Sequence, residues 1–219
     1  MTAFFVTQVM LVWGFWTWLF GKRAAIVLAA VLAVTGDIAW CGILRFGPLP
    51  PRLPILVLLT AAATIWLARK LPTPETPVAW LIGYQSFRIL VEVFLWWGHR
   101  NGLVPVQMTW DGRNYDVLTG LTAPLVAWLA SRHRISPAMI AAWNLLGLAL
   151  LVNVMTVAIL SLPTPFQRFY PTLTFPAEFP YVWLPLFLVP SALFGHVAIL
   201  FAGRRTARRS AILEPRAAQ

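Results

Sequence analysis

Apolar residues run along nearly the whole chain in long stretches, separated by short polar clusters. Each stretch is close to the ~20 residues that a helix needs to cross the hydrocarbon core of a bilayer. Seven spans are predicted, over 3–20, 24–44, 53–69, 77–98, 115–131, 137–161 and 180–202, the third and fifth being short. The pattern therefore predicts an all-α fold: one transmembrane helical domain over 1–203, followed by a basic tail over 204–219. Helix-start chemistry agrees at two places. Thr76-Pro77 and Ser136-Pro137 each put a capping side chain before a proline at the first helical position. Pro124, Pro185 and Pro190 fall inside spans and are expected to bend them, which a bundle tolerates where neighbours satisfy the freed carbonyls. The first 20 residues lack the basic start and small-residue cleavage site of a signal peptide, so they are expected to remain as a spanning helix.

Composition sharpens this picture. Only 11% of the 219 residues are charged and 59% are hydrophobic, whereas soluble domains carry about 25% charged residues. The net charge of +10 would suggest nucleic acid in a soluble protein. Here the basic residues lie in loops and at helix ends, which points to orientation and to anionic lipid at the tail. With seven spans, alternate loops and the tail collect eleven Lys and Arg, among them Lys22, Arg69, Arg132, Arg204 and Arg216, against five on the other side. The richer side belongs in the cytoplasm, so the N-terminus is expected outside and the C-terminus inside. Many of the twelve tryptophans, Trp40, Trp66 and Trp128 among them, fall near span ends and fit interfacial belts. Short loops and a basic tail imply an inner or plasma membrane, and helical spans exclude an outer-membrane barrel.

Candidate chemistry is confined to a few places. An ionisable residue within a span costs about 2.5–3.5 kcal/mol at a helix centre, so Asp37, Arg88 and Glu92 stand out. Gln85, Arg88, Glu92 and His99 recur at helical spacing and form one polar stripe, with Arg88 and Glu92 placed to pair along the helix. Asp37 lies about 13 and Glu92 about 15 residues into spans of the same direction, each about 20 Å from the cytoplasmic ends at ~1.5 Å per residue. Gln8 and Asn153 fall at similar levels. With Arg88 a turn deeper, Asp37, Arg88, Glu92, Gln8 and Asn153 are expected to form a polar cluster open to the outside. Its function would be to bind or transport a small polar or ionic ligand; the bland alternative is a buried network that fixes helix packing. The following loop, 99–120, is the second concentration. Arg113 and Asp116 are candidate ligands there, while Asn114 or Asp116 is placed to cap the next helix. The loop is expected either to form turns and caps or to fold over the cluster.

Several chemistries drop out. His99, His133 and His196 are too dispersed for a zinc site, and His196 reads as a packed, hydrogen-bonding residue. Cys41, the sole cysteine, has no intrachain partner. Neither a nucleophile elbow nor a phosphate-binding loop is present. Gly36-Asp37 and Tyr115-Asp116 occur in the reverse of the order found in membrane aspartyl proteases. Seven spans resemble microbial rhodopsins in outline, but Lys22 and Lys70 both lie at cytoplasmic ends, which excludes a Schiff base in the last helix. No cofactor is implied. Two rival readings remain: an enzyme acting on a lipid, with Glu92 or Asp116 as base and Arg88 or Arg113 as anion clamp, and a non-catalytic subunit docking through the aromatic loop 162–180.

Overall fold

The computed structural model describes residues 1–46, 52–70 and 77–213, with Lys70 and residues 202–213 described in backbone only. Every regular element among them is helical: α1 (Thr2–Phe20), α2 (Lys22–Trp40), α3 (Arg52–Lys70), α4 (Val78–Tyr84), α5 (Phe87–Arg100), α6 (Val117–Ser131), α7 (Pro137–Ser161) and α8 (Val189–Leu213). Six of the resulting segments are long and apolar enough to cross a membrane, with α4 and α5 counted together as Val78–Arg100. The segment expected as a fifth span is the exception, since α6 has 15 residues.

The helices pack around α8, which touches α3, α4 and α7. Its apolar stretch Leu184–Phe201 is 61% buried, against 17% for Lys22–Trp40, so α8 is central and α2 peripheral. α1 turns Phe5, Val9, Val12 and Trp16 inward at helical spacing and packs on α2 and α5. α2 is held by the Trp13 indole donating to the Ala25 carbonyl and the Trp183 indole donating to the Leu32 carbonyl.

Local chemistry explains where the helices differ from expectation. Ser136 caps α7 by accepting from the Met139 amide, with Pro137 at the first position. Pro77 is itself the residue before α4, and Thr76 lies outside the described residues. The span expected over 77–98 is interrupted at Gln85 and Ser86. There the amides of Gln85, Ser86, Arg88 and Ile89 bond three residues back, tightening the helix just before Arg88. The last span opens with a π-helical turn over Leu184–Leu188. Pro185 lies within that turn and Pro190 just after it, and each removes an amide donor from the helical ladder. α2 stops at Trp40 rather than at residue 44, and residues 41–44 form a turn. α8 continues as helix to Leu213, well past the expected start of the tail, while 214–219, with Arg216, lie outside the described residues.

Candidate functional site

A buried polar network runs across the middle of the molecule. α5 supplies Arg88 and Glu92, one turn apart and both facing inward, 2% and 1% exposed. They do not pair with each other as their spacing predicts. Arg88 turns instead to Asp116, forming an ion pair through Nη2 and donating from Nε to Oδ2 at 2.6 Å. Its Nη1 lies 2.8 Å from His196 Nε2 on α8. Two-pronged geometry of this kind is the stronger form of a guanidinium–carboxylate contact.

The tautomer of His196 follows from its neighbours. Asn144 Nδ2 donates to the His196 backbone carbonyl at 3.0 Å, which points Asn144 Oδ1 at His196 Nδ1, 2.8 Å away. An oxygen there requires a proton on Nδ1, leaving Nε2 as acceptor for Arg88. Gly147 on α7 makes room for the ring. A Cβ at that position would lie 2.6 Å from His196 Cε1.

The loop after α5 folds back over this network. Asn114 Nδ2 donates to both Glu92 carboxylate oxygens at 2.8 Å and to the Met108 carbonyl at 3.0 Å. Its Oδ1 accepts from the Asp116 amide. Asp116 occupies the N-cap position of α6, yet its side chain caps nothing and goes to Arg88. Gln107 pins the loop's base by donating to Pro171 and Ser161. At Gly112 a Cβ would meet the Val106 carbonyl oxygen, so the tight return of the loop needs glycine. Close packing of α6 on α5 likewise needs Gly120, where a Cβ would come 2.9 Å from the Ile89 amide nitrogen.

Arg88, Glu92 and Asp116 form part of the wall of a cavity of about 80 Å³. The rest of the wall is almost wholly apolar. Leu53 and Val57 come from α3, Leu151 and Ala158 from α7, and Leu184 and Leu188 from the π-helical turn. A water needs roughly 10–15 Å³ of such space and two to four polar partners, so the polar end suits water and the apolar walls do not.

The other residues expected at this site stand elsewhere. Asp37 is exposed on α2, in its last turn, and does not join the network. Its depth, counted from the cytoplasmic end of the span, is not what separates it from the network; α2 is peripheral and Asp37 lies on its exposed side. Gln8 is buried on α1 and donates to the Leu90 carbonyl, supporting α5 from behind. Gln85 is buried and does not line the cavity; it donates to the carbonyl of Ala192, which does. Asn153 donates to the Arg113 carbonyl and holds the loop to α7. The Arg113 side chain is exposed and lies over the Phe169 ring, 4.6 Å from its centre. His99 bonds the Val104 carbonyl and closes the turn after α5. Among the described residues, no group of three or more His, Cys, Asp or Glu is arranged to hold a metal ion.

A family model described as a domain of unknown function, DUF8737, matches residues 53–202. That stretch runs from α3 into α8 and contains every residue of the network and of the cavity wall, leaving out α1 and α2. No curated protein and no solved structure matches the chain.

Proposed function

We propose that this chain, which belongs to the DUF8737 family of domains of unknown function, is a cell-membrane protein that binds a ligand in the cavity beside Arg88, Glu92 and Asp116. It crosses the membrane seven times, with its N-terminus outside and its C-terminus in the cytoplasm. The observation that carries the binding reading is the position of the network. A network serving helix packing alone is best closed off by side chains on every side, because partly satisfied buried charge is costly. Here Arg88, Glu92 and Asp116 are among the residues that line a cavity of about 80 Å³.

The seventh crossing rests on α6. Its Gly120 lies against Ile89, while Ala127 lies 3.4 Å from the position of a Gly83 Cβ, so α6 descends alongside the inner part of Val78–Arg100. The folded loop, buried at Val104, Met108, Thr109 and Asn114, fills the outer part. Non-helical backbone at membrane depth is tolerated when protein buries it. A short helix and a buried loop together make one crossing.

Native mass spectrometry of protein released from its own membranes tests the binding reading. The account expects a retained non-protein mass that disappears when Ala158→Trp fills the cavity. Glu92→Gln keeps an acceptor for Asn114 and should fold. If wild-type protein carries no added mass, and Glu92→Gln is folded no better than a chain with Glu92→Leu, the network is structural and the proposal fails.

A further inference from the structure

We propose that the end of the bundle from which α8 extends binds anionic phospholipid headgroups, in preference to zwitterionic ones, in the leaflet beside it. This surface is separate from the cavity and does not rest on the cavity's holding a ligand.

The fold gathers basic residues from distant parts of the chain at this end. One apolar cluster joins Leu19 at the end of α1, Val78 at the start of α4, Ala130 at the end of α6, Ile140 at the start of α7 and Ile199 on α8. α3 ends there too, since the Arg69 guanidinium lies over the Phe201 ring of α8, 5.8 Å from its centre. Each of these segments carries cations where it turns. Lys22 and Arg23 follow α1, Arg69 closes α3, and Arg132 and Arg134 lie between α6 and α7, all of them exposed. α8 adds a fourth group. Its backbone stays helical to Leu213, through the stretch that holds Arg204, Arg205, Arg208 and Arg209. At ~1.5 Å per residue, a helix keeps those four positions within about 8 Å along its axis.

Among the described residues no Asp or Glu lies at this end. Asp37, Asp111 and Glu178 belong to the opposite end of the bundle, and Glu92 and Asp116 to the buried network. Like charges crowded together repel one another unless anions from outside the chain lie among them. Depth selects a lipid as the source of those anions. Trp18, Trp66 and Trp128 are exposed and lie about one helical turn before Lys22, Arg69 and Arg132. Trp18 packs on exposed Trp80, ring centres 5.2 Å apart, and Arg134 lies over Trp128, 5.7 Å from its centre. Exposed tryptophans near span ends mark the headgroup region. The cations just beyond them therefore stand where the phosphates of the adjoining leaflet lie. On the orientation proposed above, that leaflet is the cytoplasmic one.

Native mass spectrometry of full-length protein ejected from nanodiscs tests the proposal. The discs hold equal phosphatidylcholine and phosphatidylglycerol with matched acyl chains. The last lipids retained on the protein should favour phosphatidylglycerol by about five-fold or more, the ratio that one basic residue's attraction to an anionic surface supplies. Equilibrating unmodified protein in about 1 M ammonium acetate, where the screening length is about 3 Å, should remove most of the preference. Arg204→Gln, Arg205→Gln, Arg208→Gln and Arg209→Gln together should lower it at least about two-fold. Neutralising Arg45, Arg100 and Arg168 at the opposite end, or filling the cavity with Ala158→Trp, should leave it unchanged. Equal retention of the two lipids would overturn the proposal, as would a preference that high salt leaves intact or that only the opposite-end variant removes. Equal retention together with DNA binding by the purified protein, lost in the α8 variant, would assign the surface to nucleic acid instead.

Discussion

Cutting the Arg88–Asp116 pair from either side should destabilise the protein far more than cutting both sides together. Arg88 is 2% exposed and meets Asp116 through two nitrogens, so Asp116→Leu leaves a buried guanidinium whose remaining hydrogen-bond acceptor among the described residues is the His196 ring. Removing one partner of a buried ion pair costs about 3–5 kcal/mol, whereas replacing both by apolar groups of similar volume is often neutral or stabilising. Arg88→Met should cost a similar amount by stranding Asp116. The double variant should lie within about 2 kcal/mol of wild type, which gives a coupling energy at or above the ~0.5–3 kcal/mol usual for residues in contact. The assay is equilibrium unfolding in mixed micelles of mild detergent and dodecyl sulfate, followed by circular dichroism. Asp37→Leu is the control; Asp37 is exposed and should change stability by no more than about 0.5 kcal/mol. If Asp116→Leu unfolds together with Asp37→Leu, the pair is not buried as described and the site has a different organisation.

Gly147→Ala should push the His196 ring off Arg88, because the new methyl would lie 2.6 Å from Cε1; a lowered melting temperature and a shifted His196 ring resonance would show it. Asn114→Ala should cost about 1–3 kcal/mol, the penalty for leaving a buried acceptor unmet, and Glu92→Gln in the same chain should recover part of it. Orientation is tested by thiol labelling of intact cells. Exposed Cys41 should react with an impermeant maleimide from outside, whereas Arg132→Cys in a Cys41→Ser background should react only after the membrane is opened. Outside labelling of both positions would mean that α6 does not cross.

The helices were readable from the sequence because apolar runs of membrane length admit few alternatives, and Arg88 and Glu92 because an ionisable residue inside such a run demands an explanation. Asp37 met the same criterion and misled. A carboxylate in the last turn of a helix reaches polar surroundings at little cost, and depth along the chain does not say which face of α2, the least buried of the long helices, turns toward the bundle. The true partner, Asp116, was visible as a candidate but lay outside any predicted pairing, since folding the loop 101–116 back over α5 depends on Gly112, Gln107 and Asn114 acting together. His196 reads correctly as a hydrogen-bonding residue. Asn144 was not singled out at all, although a neutral amide in the middle of an apolar helix carries the same demand for a partner in weaker form.

Cryo-electron microscopy of the full-length protein extracted with its own lipids tests the central claim most directly. The account predicts non-protein density in the cavity lined by Arg88, Glu92 and Asp116, with the Arg88–Asp116 pair intact. A cavity filled by the protein's own side chains, with Glu92 sealed from it, would contradict the account and leave the network as internal scaffolding.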